Sequence, residues 1–306
     1  LKLLIIETVP KSKNPIDAHV RNAYKIAEGL RARGHKVDIL HTNEKTKYLA
    51  NDYEIILVSY ATPYPSFDDI DSFLDRNSKA RLGWITNEYN LRPNGCFYKH
   101  FKKRGAFILA NYEQGAVKFA CFDSFHMVNL NTLLFRDLKS TPKKYDHIYY
   151  GTFRIDRKEY FKKYLQAPVF LSTSPKNYKK FKHIGCEPKF IKKINWSKPL
   201  LNSFRYSLYI EDEFTHDNFN NLANRFYECL GADTVILFDS NCIKTLEKSG
   251  IKNYKSFIIN NHEDLKKFNE FNYKACLNIQ KEWKEQVIIQ MGETIEQIED
   301  VLLSEI

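Results

Sequence analysis

The chain begins with an unbroken apolar run, "KLLIIET" (2–8), that gives way to polar residues. That is the pattern of a strand buried on both faces of a parallel sheet. The period then changes. Val20, Ala23, Ile26, Ala27 and Leu30 recur at helical spacing on one stripe of residues 17–34. Asp17 stands at an N-cap position after Pro15, and Gly34 stands just past the helix end. "HKVDILHT" (35–42) restores a strand, so this opening segment predicts one βαβ unit. The alternation continues with strands over 53–60, 80–90, 106–113 and 125–131, and helices over 66–77 and 97–105.

A polar, proline-containing stretch, "RDLKSTPKKYD" (136–146), interrupts the pattern and reads as a linker. Alternation then resumes. Strands are expected over 147–153, 168–174, 204–212, 234–239 and 256–261. Helices are expected over 157–165, 177–185 and 217–231, and another begins at "HEDLKKFNEF". The tail from Asn278 is one long amphipathic helix, or two joined near Gly292. Strand–helix alternation on both sides of a linker predicts an α/β protein of two Rossmann-like, doubly wound parallel-sheet domains. We place them at 1–136 and 147–280, with 281–306 a helix packing back on the first.

Composition narrows the class. Of 306 residues, 43% are hydrophobic, enough for two cores, yet no run reaches the roughly 18 apolar residues of a membrane span. The start lacks the basic n-region of a secretory signal. Six single cysteines show neither CxxC pairs nor zinc spacing. The expectation is a soluble cytoplasmic protein without stable membrane insertion. A net charge of +10 favours a polyanionic partner. Basic residues cluster at 99–104, 154–163 and 176–193, and "CFYKHFKKRG" and "NYKKFKHIG" interleave them with aromatics.

Ligands of open α/β sheets bind beyond the carboxyl ends of the strands. There, "YYGTFRIDRK" sets Gly151 and Thr152 in a strand-to-helix turn, followed by Arg154 and Arg157. Two guanidinium groups at such a turn suit a diphosphate. Neither GxGxxG nor GxxxxGK[ST] occurs, which argues against a nicotinamide dinucleotide site and a P-loop. Thr173 ends another strand. In "NRFYECLGADTVILFD" (224–239), Asn224 and Arg225 precede Glu228 by four and three residues, so all three share a helix face, and a carboxylate there can accept both hydroxyls of a ribose. Asp17 and His19 open the first helix. They suit a general base oriented by a carboxylate, or an ordinary N-cap beside a helical histidine. "FDDID" (67–71) reads as capping charge rather than a metal-binding DxD.

Three of these segments resemble the GT-B glycosyltransferases. "NRFYECLGADTVILFD" is similar to their glutamate, small-residue turn and buried strand ("EAMACGTPVV"). "DAHVRNAYKIAEGLRARGHKVDIL" resembles their first helix, and "YYGTFRIDRK" the turn that opens their donor domain. The resemblance implies two domains facing a central cleft and transfer of a sugar from a nucleotide diphosphate sugar, with UDP-glucose as the type donor and no metal or other cofactor strictly required. It implies that Glu228 holds the donor ribose and that Arg154 and Arg157 hold the diphosphate, with Gly151, Thr152, Thr173, Asn220, Asn224 and Arg225 around them. Retaining members carry a second glutamate eight residues before the first; Asn220 stands there, and Glu211, Asp212, Glu213, His216 and Asp217 lie just upstream as substitutes. In a retaining enzyme, His19 would help to position the donor sugar instead.

Size and charge resemble the phage enzymes that glycosylate hydroxymethylated bases in their own DNA. On that reading DNA is the acceptor, contacted by Lys11, Lys13, Glu88, Lys102, Lys103 and Arg104. Two alternatives remain: an enzyme acting on a glycan or lipid-linked sugar, and a catalytically silent nucleic-acid-binding Rossmann pair.

Overall fold

The computed structural model describes residues 1–7, 18–41, 52–59, 67–86, 96–111, 123–138, 141–192, 200–218 and 222–306. They form two units, Leu1–Leu134 with Ile289–Ile306, and Phe135–Ile288.

The first unit runs β1 (Lys2–Glu7), α1 (Ala18–Ala32), β2 (Lys36–His41), β3 (Ile55–Ser59), α2 (Phe67–Arg76), β4 (Arg81–Thr86), α3 (Cys96–Lys103), β5 (Phe107–Ala110) and β6 (Phe125–Met127). Its sheet has the order β2-β1-β3-β4-β5-β6 and every pairing is parallel. This is the flavodoxin-like winding, which reverses between β1 and β3. The apolar stripe of α1 packs Ala23, Ile26, Ala27 and Leu30 on Leu3, Ile5 and Leu57. Gly34, at φ +90°, ends the helix as expected: its N–H donates to the Arg31 carbonyl at 3.0 Å, and that of His35 to the Leu30 carbonyl at 3.1 Å.

The second unit runs β7 (Tyr145–Tyr150), α4 (Lys158–Tyr164), β8 (Gln166–Thr173), α5 (Pro175–His183), β9 (Glu187–Lys192), β10 (Phe204–Tyr209), α6 (Glu213–Asn218), α7 (Asn224–Gly231), β11 (Val235–Asp239), α8 (Ile243–Lys248), β12 (Ile258–Ile259) and α9 (Glu270–Ser304). The order β12-β11-β10-β7-β8-β9, again all parallel, is the Rossmann winding. The strand order reverses between β7 and β10, and in sheets of this winding ligands bind beyond the carboxyl ends of the strands at such a point.

Several elements differ from the sequence reading. The stretch expected as one helix over 217–231 holds two, and Asn224 opens the second. Glu187–Lys192 is a strand that the alternation did not single out. "HEDLKK" is a 3-10 turn, and a single α9 then continues through Gly292 without a break. Trp283 and Val287 of α9 are buried in the second unit, whereas Ile295, Ile298 and Leu302 enter the core of the first. There Ile295 lies so close to Gly29 of α1 that any side chain at Gly29 would collide with it. Among the described residues, no helix is long and apolar enough to cross a membrane.

His147 sits mid-sheet on β7, stacked on Tyr206 at 5.3 Å, with Nε2 buried and unpartnered. Burial pushes its pKa down to about 4. The unfolded chain therefore binds the extra proton between about pH 6.5 and 4, and folding stability falls as pH drops through that window. We expect His147→Phe to remove roughly 3 kcal/mol of acid sensitivity between pH 7 and 4. Urea unfolding of both proteins at the two pH values measures it.

Candidate functional site

The crevice at the β7/β10 reversal collects most of the donor-site residues named from sequence. β7 ends at Tyr150, and Gly151 adopts φ +154°, a conformation that L side chains rarely take. A Cβ there would stand 3.2 Å from Nη2 of Arg225. Thr173, at the end of β8, donates its hydroxyl to the Gly151 carbonyl at 2.7 Å, and Gly151 N–H donates to the Ser172 carbonyl at 3.2 Å. The turn is thus pinned from the neighbouring strand. Thr152 is exposed beyond it.

The structure separates the two arginines expected to act as a pair. Arg157 is buried. Its Nη2 lies 2.5 Å from Glu211 Oε2 and 2.8 Å from Asp212 Oδ2; Nε donates to Asp212 Oδ2 at 2.9 Å and Nη1 to the Ile210 carbonyl at 3.2 Å. Burial opposes the Arg157 charge, but Glu211, Tyr149 and Asp212 outweigh it and raise the pKa. For Asp212, burial is outweighed by Arg157 and by the N–H of Thr215, which hold its carboxyl below the usual range. The other Asp212 oxygen accepts the Thr215 N–H at 2.9 Å and hydroxyl at 3.0 Å, capping α6. Glu211 and Asp212, considered from sequence as sugar contacts, are therefore the counter-ions of the arginines. Arg154, by contrast, has a side chain 39% exposed, 3.4 Å from Asp156 and 3.9 Å from Asp212. It presents the exposed positive charge at this turn.

Arg225 and Glu228 stand one turn apart on α7, both 9% exposed. Arg225 Nη2 donates to the Tyr150 carbonyl at 2.8 Å, and Nη1 lies 3.4 Å from Glu211 Oε1. Its guanidinium carbon lies 4.6 Å from the ring centre of Tyr149, 5.2 Å from Tyr150 and 5.9 Å from Tyr209. Burial opposes this charge too, while Tyr149 and Glu211 hold it in place, and the pKa is raised. Nε of Arg225 is buried without a partner. Glu228 Oε2 accepts the Tyr150 hydroxyl at 2.9 Å. Burial, with Cys229 and Glu228 adding to it, pushes that hydroxyl's pKa up, so it stays a donor. Asn224 is half-buried at the start of α7. Gly231, at the other end, is held against the backbone of Arg136 and leaves no room for a Cβ. The three tyrosines were not singled out from sequence; "YY" directly before Gly151 is the signal that carried Tyr149 and Tyr150, whereas Tyr209 ends β10.

Of the residues proposed from sequence for the acceptor side, three fall among the described residues of the first unit. Lys102 and Lys103 close α3 and are exposed; Arg104 follows, 3.0 Å from Asp75. They sit where the chain turns into β5, at the amino edge of the first sheet, where Arg81 at the start of β4 donates to the Gly105 carbonyl. That is the end opposite to the carboxyl ends of the strands. Lys11, Lys13, Asp17, Glu88 and Asn220 lie outside the described residues, as does the side chain of His19 in the first turn of α1. Among the described residues, no three His, Cys, Asp or Glu side chains converge to hold a metal ion.

No protein-family model matches the chain, and no curated protein matches it in sequence. Solved structures do match in fold. T4 phage BGT in complex with UDP and Mn2+ is 17% identical, with a TM-score of 0.68 and 99% of each chain covered. A DNA-modifying beta-glucosyltransferase, studied with and without uridine diphosphoglucose, is 18% identical, with the same TM-score and coverage. An alpha-glucosyltransferase in complex with UDP and a 13-mer DNA is 10% identical, with a TM-score of 0.58, over 97% of this chain and 95% of that one. The fold is α/β of the GT-B type, similar to that of phage DNA-base glycosyltransferases.

Replacing Arg157 with Met leaves Glu211 and Asp212 buried beside a missing charge. We expect a loss of about 3–5 kcal/mol in denaturant unfolding. Arg154→Met, at an exposed position, should change stability by less than about 1 kcal/mol.

Proposed function

We propose that this chain is a glycosyltransferase that moves a sugar, in the first instance glucose, from a nucleotide diphosphate donor to a hydroxyl on a hydroxymethylated base in DNA. One observation carries the reading. At the strand-order reversal of the second sheet, Gly151 lies against the Arg225 guanidinium, Glu228 accepts the hydroxyl of the adjacent Tyr150, and the solvent-facing Arg154 lies 3.9 Å from Asp212. The similar folds are described with UDP, with uridine diphosphoglucose and with DNA.

The chemistry follows from that set. The bond between the anomeric carbon and the β-phosphate oxygen breaks, and the acceptor oxygen bonds to that carbon. The leaving diphosphate keeps the electron pair, so negative charge grows on it. A cation already in place stabilises that charge without reorganisation. Arg154 is that cation in our reading. Arg157 acts through Glu211 and Asp212, holding the turn and the β10 end in register. Glu228, oriented by Tyr150, accepts the ribose hydroxyls, with Gly151, Thr152, Thr173, Asn220 and Asn224 around the nucleotide. We read the course as retaining, as the α7 segment implies, with His19 helping to position the donor sugar. In a direct displacement His19, oriented by Asp17, would take the acceptor proton instead. Similar folds include both an alpha- and a beta-glucosyltransferase, so the anomer of the product decides between the two courses. Transfer is read as metal-independent, and one similar structure is described with Mn2+; activity in the presence of a chelator tests this.

The experiment is thermal unfolding against a panel of nucleoside diphosphates and their sugars. A true donor nucleotide at about 100 times its Kd should add roughly 2.7 kcal/mol. Arg154→Met and Glu228→Gln should abolish the shift, the first without lowering the unliganded stability. No shift with any nucleotide overturns the proposal. Transfer of labelled glucose to hydroxymethylated DNA, but not to unmodified DNA or to glycans, tests the acceptor.

A further inference from the structure

α5 carries four lysines and a histidine and no acid. Its inner face is anchored: Ser174 caps the start, accepting the Asn177 N–H at 3.2 Å, and Phe181 is buried against Phe161 at 4.9 Å and Phe153 at 5.1 Å. Lys176, Lys179, Lys180 and His183 fall on the opposite face at helical spacing, all exposed. Lys182 is paired with Glu187 at 3.0 Å. Lys176, Lys179 and Lys180 have no carboxylate partner among the described residues. Neighbouring α4 adds Lys158, Lys162 and Lys163, with Glu159 as its single acid, 3.2 Å from Lys162.

A helix face that only meets water has no reason to be one-signed. Like charges three and four residues apart cost a few tenths of a kcal/mol per pair, and mixed signs recover it. Here the cost stands uncompensated at Lys176, Lys179 and Lys180. The exposed residues of α5 are Pro175, the lysines and His183, so the helix has no exposed apolar face to enter a bilayer. From Lys176 to His183 the stripe spans about 10 Å, the length of roughly three successive phosphates on one strand of a duplex. It also borders the candidate site. Lys180 Nζ lies 5.9 Å over the ring of Phe153, two residues beyond Gly151.

We propose that the Lys176–Lys179–Lys180 face of α5 binds the sugar-phosphate backbone of duplex DNA. The inference rests on the DNA-acceptor reading for the choice of polyanion, and extends it to a surface of the second unit outside the donor site. The test uses the full chain, a random-sequence unmodified duplex and no nucleotide sugar. Binding is followed by fluorescence anisotropy between about 50 and 200 mM salt.

The triple variant Lys176→Gln, Lys179→Gln, Lys180→Gln should bind more weakly, with a salt slope shallower by roughly 2 to 3. Its thermal stability and its response to nucleoside diphosphates should be unchanged, which separates failure here from failure of the donor site. An unchanged slope in the triple variant overturns the proposal. So does a slope that falls only in Lys102→Gln, Lys103→Gln. Failure of the wild-type chain to bind duplex, or binding to anionic phospholipid vesicles in its place, overturns the choice of partner.

Discussion

Glu211 joins two buried arginines. One oxygen meets Arg157 at 2.5 Å and the other meets Arg225 at 3.4 Å. The first arginine belongs to the turn after β7, the second to the start of α7, and the glutamate follows β10. These are the segments that border the strand-order reversal of the second sheet. Taking such charges out of water costs several kcal/mol each, and only close pairing with further hydrogen bonds offsets it. Asp212, the Ile210 and Tyr150 carbonyls and the faces of Tyr149, Tyr150 and Tyr209 supply the rest. The shape of the crevice is set by this need to satisfy buried charge.

The same arrangement sorts the basic residues by role. Arg157 and Arg225 face Glu211 and Asp212, so their two positive charges meet two negative ones inside the fold. Arg154 is exposed, with its nearest Asp212 oxygen at 3.9 Å, so it is the arginine a solvent-borne anion meets first. Paired, buried charges of this kind are already in place, which is what the proposed stabilisation of a leaving diphosphate requires.

Much of the architecture was legible in the residues. Continuous runs such as "KLLIIE" and "VILFD" read as buried parallel strands, and Gly34 marked a helix end, because burial and backbone geometry leave local traces. β9 left none: "EPKFIK" is an edge strand whose lysines and proline read as loop. Glu228, Arg225 and Gly151 were visible because spacing on a helix and a glycine before basic residues are local features. The partners of Arg157 were not, since its meeting with Glu211 depends on β7 lying beside β10, and alternation of strand and helix does not fix strand order. For Lys102, Lys103 and Arg104 the reverse holds: the charge was legible and the position in the sheet was not. The last turn of a helix that follows one parallel strand and leads into the next lies at the amino edge of the sheet.

The first unit is discontinuous in the chain: Ile295, Ile298 and Leu302 of α9 complete a core that begins with Leu3. The second unit is one unbroken segment, Phe135–Ile288. A ribosome therefore releases every residue of the second unit before it releases the segment that closes the first. Although its strands are made earliest, the amino-terminal sheet must wait with part of its apolar face uncovered until α9 has emerged. Vectorial synthesis, which ordinarily lets the leading domain fold first, here favours the trailing one.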